Sequence, residues 1–373
     1  MDAAETQSVR RPAHPIAARP KAPDSVELLP AADSIRADWD ALADATGVPP
    51  FLRPGWIEPW QEAFAEGEPG YLVARRDGRL TGVLPVVSQR GTLTSPANWH
   101  TPLFGPVVED EQAARELAQA VLAHAGRRAD LWFLDPEAPG FPQLTAAAEG
   151  AGYGTIARTI ARSPYIAVDG SFDEFMAGLD RKFRKEVGRL WRRLEEQGGG
   201  ATFEDGSENL DELLTDGFRL EGSGWKTERG SAIAQSPARE RFYRRVAEWA
   251  AARGWLRLGF LHVDGQRVAF DFGLEAGGRF YIPKGGFDVE YRKLGPGQLL
   301  TYAGVKRAFE LGLESYELLG QQDDYKRQWT PHTRERVRLQ LFPRRPAGSA
   351  TFVAWRYGRP LVRKIRARGE EES

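Results

Sequence analysis

Two Asp-Gly dipeptides, Asp77-Gly78 and Asp264-Gly265, each stand between apolar runs, 187 positions apart. Asp-Gly in that setting specifies a tight hairpin, because both turn residues must take φ > 0. The flanking runs, 71–74 with 80–87 and 256–263 with 268–274, therefore read as strand pairs. In each half a loop, a helix (about 110–125 and 298–311) and a short apolar strand (131–134 and 315–319) follow, with a further strand at 280–282 in the second half. The shared order predicts two copies of one mixed α/β unit. A chain of 373 residues also exceeds the ~250–300 at which one hydrophobic core stops growing.

Other stretches fill in the organisation. Ile35, Trp39 and Leu42 have helical spacing, and Pro54-Gly55-Trp56 opens a second short helix through Trp60 and Phe64. Three more helices are predicted at 172–194, 208–220 and 239–253, the last with Phe242, Val246 and Trp249 on one face. Residues 1–24 hold few large apolar side chains and read as a flexible tail. The predicted divisions are this tail, a first unit over 25–165, a second over 166–345, and a basic C-terminal segment over 346–373 with an exposed helix near 363–368.

Composition narrows the chemistry. There is no cysteine, which removes disulfides, thiol nucleophiles and thiolate metal sites. The five histidines, His14, His100, His124, His262 and His332, are scattered without metal-ligand spacing, so no metal is expected. Lys+Arg 51 against Asp+Glu 52 gives no general grip on nucleic acid or anionic lipid. No apolar run approaches the ~18 residues of a membrane helix, and the N-terminus lacks a signal-like apolar stretch, so a cytoplasmic protein without membrane insertion is expected. Chemistry then falls to carboxylates, Tyr, Lys, Arg and backbone amides.

The most informative stretch is Arg292-Lys293-Leu294-Gly295-Pro296-Gly297-Gln298, placed after an apolar strand and at the start of a helix. Glycines there let the backbone approach a ligand, successive N–H groups face phosphates, and the helix N-terminus adds a positive dipole. A Gly-Pro turn that merely starts a helix has the same local sequence. The stretch resembles the phosphate-binding element of the GNAT acetyltransferase superfamily. Further blocks in order, 184–190, 221–226, 261–269, 286–288 and 325–329, are similar to its FemAB-like branch, the two-lobed CelD-like acyltransferases of polysaccharide biosynthesis. The likeness covers about 165–330, with a weaker match over 50–140. It implies a mixed α/β fold of two tandem GNAT-like lobes, each a mixed, largely antiparallel sheet flanked by helices.

The resemblance implies acyl transfer from acetyl-CoA or another acyl-CoA to an amine, with the donor's pyrophosphate on 292–298. Such transfer needs a base for the amine proton, oxyanion donors and an acid for the thiolate. Glu221, beside Trp225 and Lys226 at a helix end, is the candidate base, with a solvated helix glutamate as the alternative. Tyr325 is placed where the superfamily often has the acid, and Lys326 where Fem-type relatives carry a Tyr-Lys pair. Lys284-Gly285-Gly286 suggests a splayed or bulged strand offering oxyanion donors. Trp225, Lys226, Lys284, Asp288 and Trp329 are candidate substrate-binding residues. Asp271, inside an apolar strand, must be paired or functional, and pairing with an arginine is the expected reading.

The basic run 181–194 reads as a solvated helix face, with contact to an anionic acceptor or tRNA as the sharper alternative. The first half has no comparable glycine turn, since 101–106 lacks the basic residue and the second glycine. That lobe is expected to be structural and to form a wall for the acceptor, a small-molecule or sugar-linked amine. Two other functions fit the resemblance: a Fem-type transferase using aminoacyl-tRNA on a cell-wall precursor, without the long coiled-coil arm of some such members, and a degenerate accessory protein of polysaccharide biosynthesis.

Overall fold

A computed structural model describes the backbone of residues 7–10 and the full chain over 20–223 and 232–343. Trp225, Lys226 and the expected C-terminal helix lie outside these residues. In chain order the elements begin with strands β1 (Gln7–Arg10) and β2 (Val26–Leu29) and helices α1 (Arg36–Thr46) and α2 (Pro54–Phe64). Then come β3 (Glu68–Arg76), β4 (Arg79–Gln89), β5 (Thr92–Thr94), β6 (Val107–Val108), α3 (Glu111–His124), β7 (Arg128–Leu134), α4 (Phe141–Gly150) and β8 (Gly154–Ala167). The second half holds α5 (Phe172–Gly178), α6 (Arg181–Glu196), β9 (Gly200–Glu204), α7 (Leu210–Glu221), α8 (Pro237–Ala252), β10 (Leu256–Val263), β11 (Gln266–Ala276) and β12 (Arg279–Phe287). It ends with α9 (Pro296–Glu310), β13 (Ser315–Glu317), α10 (Asp324–Arg327) and β14 (Thr333–Phe342).

Two compact units divide the chain: Met1–Thr46 with Ala65–Ile160 and Arg336–Ser373, and Gly47–Phe64 with Ala161–Glu335. The division differs from a single cut near 165. The segment with α2 packs in the second unit, where Trp56 meets Phe242 of α8 edge-on with ring centroids 5.3 Å apart. The last strand returns to the first unit, where Leu339 and Leu341 join the core. Residues 7–10, expected in a flexible tail, pair as β1 with β8.

The two units have one topology. The first runs β2-β3-β4-β5-β7-β14, with β6 beside β4, and the second β9-β10-β11-β12-β13-β8. Each has a single parallel pair among the described strands, β5 with β7 and β12 with β13, and each of these pairs is bridged by a helix, α3 or α9. Both Asp-Gly turns have the positive φ that their hairpins require: 53° and 79° at Asp77-Gly78, 48° and 76° at Asp264-Gly265. The fold is thus a mixed α/β tandem, as its repeated order predicts.

Capping explains where several helices start. Asp180 accepts hydrogen bonds from the backbone of Lys182 and Phe183, which begins α6 and divides the stretch expected as one helix over 172–194. Ser236 and Pro237 begin α8, with the Ser236 hydroxyl accepting from Arg239 N–H. On α6 the apolar stripe is buried through Val187, Leu190 and Leu194, while Arg181, Lys182, Lys185, Arg189, Arg192 and Arg193 are exposed. No helix among the described residues is long and apolar enough to cross a membrane.

Candidate functional site

In the second unit β12 leads into a 3₁₀ turn, Val289–Leu294, and then α9. Asp288 starts the turn by accepting from Glu290 N–H at 3.0 Å. Gly295 takes φ 66°, ψ 46°, and Pro296 occupies the first helical position, where its missing N–H costs nothing. Leu299 N–H bonds the Gly295 carbonyl at 3.1 Å, so the first-turn amides ahead of it are those of Gly297 and Gln298. A methyl group at Gly297 would meet nothing closer than Phe287 at 3.7 Å, which leaves the approach to this turn open. Arg292 and Lys293 are exposed beside it, and Leu294 packs on the cluster that holds Leu190 and Leu194. The dipole of a 15-residue helix, two open amides and two cations thus give this turn a positive local field. The Gln298 side chain is already engaged, accepting from Trp329 Nε1 at 2.6 Å and donating to Gln328 at 3.2 Å, so its backbone is the part left for a ligand.

Beside this turn the sheet loses its regular pairing. The β11–β12 register shifts between Phe272, opposite Lys284, and Leu274, opposite Tyr281. The intervening strand holds Pro283, which cannot donate to a ladder. On its other flank β12 pairs with β13 only over Arg279–Tyr281, although β12 itself continues to Phe287. The irregularity expected at Lys284-Gly285-Gly286 thus falls at Ile282-Pro283 on the β11 flank, while Lys284, Gly285 and Gly286 pair in register with Phe272, Asp271 and Phe270 and have no β13 partner on the other flank. Glycine is required here by close approach. A Cβ at Gly285 would lie 2.1 Å from Asp271 Oδ1, and one at Gly286 would lie 2.5 Å from Glu221 Cα.

Around the opened strand the candidate residues divide. Glu221 ends α7 against Gly286, but its carboxylate is 1% exposed and accepts from Ile233 N–H at 2.8 Å. It is a buried group, not a solvated helix glutamate, and together with burial its charge raises the pKa of the adjacent Tyr243 phenol well above normal. Tyr325, on α10, donates its hydroxyl to the Gly297 carbonyl at 3.0 Å and also contacts the Thr301 hydroxyl. Burial, and then the charge of Asp271, raise its pKa, so the phenol stays neutral. Asp271 is thus close enough to Tyr325 for its charge to act on the phenol. Thr301 was not among the sequence candidates; a buried threonine four residues after Gly297 is its only signal, and many helices have one.

Two expectations are corrected. Trp329 is wholly buried, edge-on to Phe183 with ring centroids 5.1 Å apart, so it is core packing and cannot touch substrate. Lys326 donates to the carbonyls of Leu319 at 2.8 Å and Gln321 at 3.2 Å, stapling the loop after β13 instead of offering a free cation. Asp288 serves as a cap; it also borders an open depression of about 410 Å³ with Arg219, His262, Arg267 and Tyr291. Lys284 stays half-buried on the bulged strand.

The corresponding place in the first unit is built differently. Its bridging helix, α3, is capped by Asp110, which accepts from Ala113 N–H at 2.8 Å and pairs with Arg76 at 2.9 Å. A carboxylate there repels phosphate. Where β5 and β7 end their pairing, the chain's own Phe104 bridges Leu134 and donates its N–H to the Phe133 carbonyl at 2.9 Å. Phe133 takes φ 61°, uncommon for a non-glycine residue.

Residues 181–327 match the family described as acetyltransferase (GNAT) domain. No curated protein gives a significant sequence match. Among solved structures the chain is similar to FemX (13% identity, TM-score 0.54, covering 82% of this chain and 95% of that one). It is similar to L-PGS from Bacillus licheniformis (11%, TM-score 0.55, 85% and 94%). A conserved protein of unknown function from Bacteroides thetaiotaomicron VPI-5482 is also similar (14%, TM-score 0.52, 82% and 96%). At these identities the likeness is one of fold.

Proposed function

We propose, from the premise that residues 181–327 are a GNAT acetyltransferase domain in a chain folded like FemX, that the protein moves an acyl group from acyl-CoA to an amine. The observation that carries this reading is the glycine-capped start of α9, with open amides at Gly297 and Gln298 and cations at Arg292 and Lys293. The thioester supplies an activated acyl carbon and a good leaving group. Backbone N–H groups of the opened strand at 282–286 would polarise its carbonyl.

In this reading Glu221, being buried, takes the amine proton through an intervening water, and Tyr325 supplies a proton to the departing sulfur. Lys326 holds the loop that leads into α10. Acceptors of the reading are small-molecule or sugar-linked amines, with envelope polysaccharide biosynthesis as the setting and the cytoplasm, where acyl-CoA is found, as the place.

The test is thermal unfolding with and without excess acetyl-CoA on the wild type and on Arg292→Ala, Gly295→Asp and Gly297→Asp. A rise in Tm in the wild type that the variants lose supports the reading. No rise with any acyl-CoA on folded protein would falsify it. The exposed cations of α6 favour an aminoacyl-tRNA donor as the second reading, and tRNA binding that weakens steeply with salt would then be expected.

A further inference from the structure

We infer that Thr301 is a positioning residue for the proton that Tyr325 gives to the leaving sulfur, an inference that rests on the acyl-transfer reading above. Hydrogen counting carries it. A phenol has one proton, and here it goes to the Gly297 carbonyl, 3.0 Å away, which can only accept. With the phenol proton on that carbonyl, the contact between the Thr301 and Tyr325 hydroxyls, in which geometry allows either oxygen to donate, runs from threonine to phenol oxygen. A threonine inside a helix commonly turns its hydroxyl back to the carbonyl four residues earlier, which for Thr301 is that same Gly297. Tyr325 takes that acceptor, and the threonine proton is directed onto the phenol.

Among the described residues Thr301 is the side-chain hydroxyl in hydrogen-bond contact with the phenol oxygen, and the other titratable groups near it act through their charge or dipole. Asp271 comes from β11, Tyr316 from β13 and Asp323 from the start of α10. The two carboxylates oppose negative charge on the phenol, as does burial; the hydrogen bond from Thr301 favours it. Thr301 is itself 2% exposed, so its hydroxyl does not exchange this role with bulk water.

When the C–S bond breaks with its electron pair on sulfur, the phenol O–H turns from the Gly297 carbonyl to the sulfur and gives up its proton. The Gly297 carbonyl remains within the helical ladder of α9. The charge left on the phenol oxygen is held by the Thr301 hydroxyl until a solvent proton replaces the one lost. A donor into the phenol oxygen also makes its O–H a stronger donor, because linked hydrogen bonds polarise one another.

The experiment uses CoA itself and needs no acceptor. Ionisation of the bound CoA thiol is followed by thiolate absorbance on the wild type, Thr301→Val, Thr301→Ser and Tyr325→Phe, with calorimetric CoA affinity measured below the thiol titration. The thiol is expected to titrate about one unit lower on the wild type and Thr301→Ser than on Tyr325→Phe, with Thr301→Val alongside Tyr325→Phe. Affinity of the neutral thiol is expected to be the same in all four. Thr301→Ala serves as a second deletion of the hydroxyl if valine perturbs the fold. CoA binding with an unchanged thiol titration in the deletion variants would overturn this inference alone; no CoA binding to the wild type would overturn the donor reading and this inference with it.

Discussion

At the scale of single residues, glycines separate packing from binding. A methyl group at Gly286 would collide with the Glu221 backbone at 2.5 Å and the Leu220 carbonyl at 2.9 Å, and backbone cannot swing aside. Gly286→Ala is expected to destabilise the protein by about 1–3 kcal/mol in urea unfolding. Gly297→Ala meets nothing within 3.7 Å and replaces glycine in a helix, so it should be neutral or stabilise by ~0.5–1 kcal/mol. In the proposed acyl-CoA reading the same methyl stands where the diphosphate would approach, and CoA affinity should fall by about tenfold or more, ~1.4 kcal/mol. Unchanged affinity would show that the ligand does not reach this turn. The glycines at 285, 286, 295 and 297 were legible as special positions in the sequence. Their partners were not, because Asp271 and Glu221 reach the strand from other elements. Trp329 shows the converse: an aromatic in a family-like block reads the same whether it lines a cleft or fills a core, and only its 0% exposure decides.

At the scale of elements, legibility followed the turn and cap signals. Both Asp-Gly hairpins, α3 and α9 were predicted within a few residues, since their signals are local. Strands β8 and β14 were missed, because arginines interrupt their apolar pattern and the partners of those arginines lie far along the chain. In β14, Arg338 makes a two-bonded pair with Asp130, 2.7 Å in both contacts, and Arg336 pairs with Asp135 at 3.0 Å. Asp130 is 4% exposed and also accepts from Gln340 at 3.2 Å and pairs with Arg128 at 3.2 Å. Removing it in Asp130→Ala leaves the half-buried guanidinium groups of Arg128 and Arg338 without their carboxylate, at a cost of about 2–3 kcal/mol in unfolding free energy, below that of a fully buried pair. A loss below ~1 kcal/mol would mean that the cluster is solvated.

The β10–β11 hairpin makes a pH-dependent contribution. Burial, with help from the Arg267 charge, lowers the pKa of His262 from 6.5. Below 6.5 the unfolded chain then binds more protons than the folded one, so stability is lost as pH falls through that value towards the lowered one. The urea midpoint of the wild type is expected to decline in that interval, and His262→Gln should remove that part of the decline. An unaltered pH profile in the variant would exclude His262 as its source.

At the scale of the whole molecule, repetition of topology has not meant repetition of the site. Both units place a helix after the strand next to their hairpin, and both pair the following strand in parallel. The difference lies in what stands at the helix start. In the second unit it is Gly295, with no side chain and φ 66°, so first-turn amides remain available. In the first it is Asp110, whose carboxylate already accepts from an amide of that turn, with Glu109 and Glu111 on either side. Phosphate at α3 would meet three carboxylates, and the arginines beside them, Arg76, Arg79 and Arg115, are already engaged in pairing those carboxylates. Phe104, bonded to Phe133, also occupies the place where β5 and β7 part. The sequence made the missing glycine turn visible, yet the insertion of Phe104 depends on a backbone bond that no local pattern encodes. Calorimetry is therefore expected to give one CoA per chain, with Arg292→Ala weakening that single event and Asp110→Asn leaving the stoichiometry at one. Two binding events, or a binding event that survives loss of the proposed α9 seat, would mean that the first unit has kept a donor site despite its acidic cap.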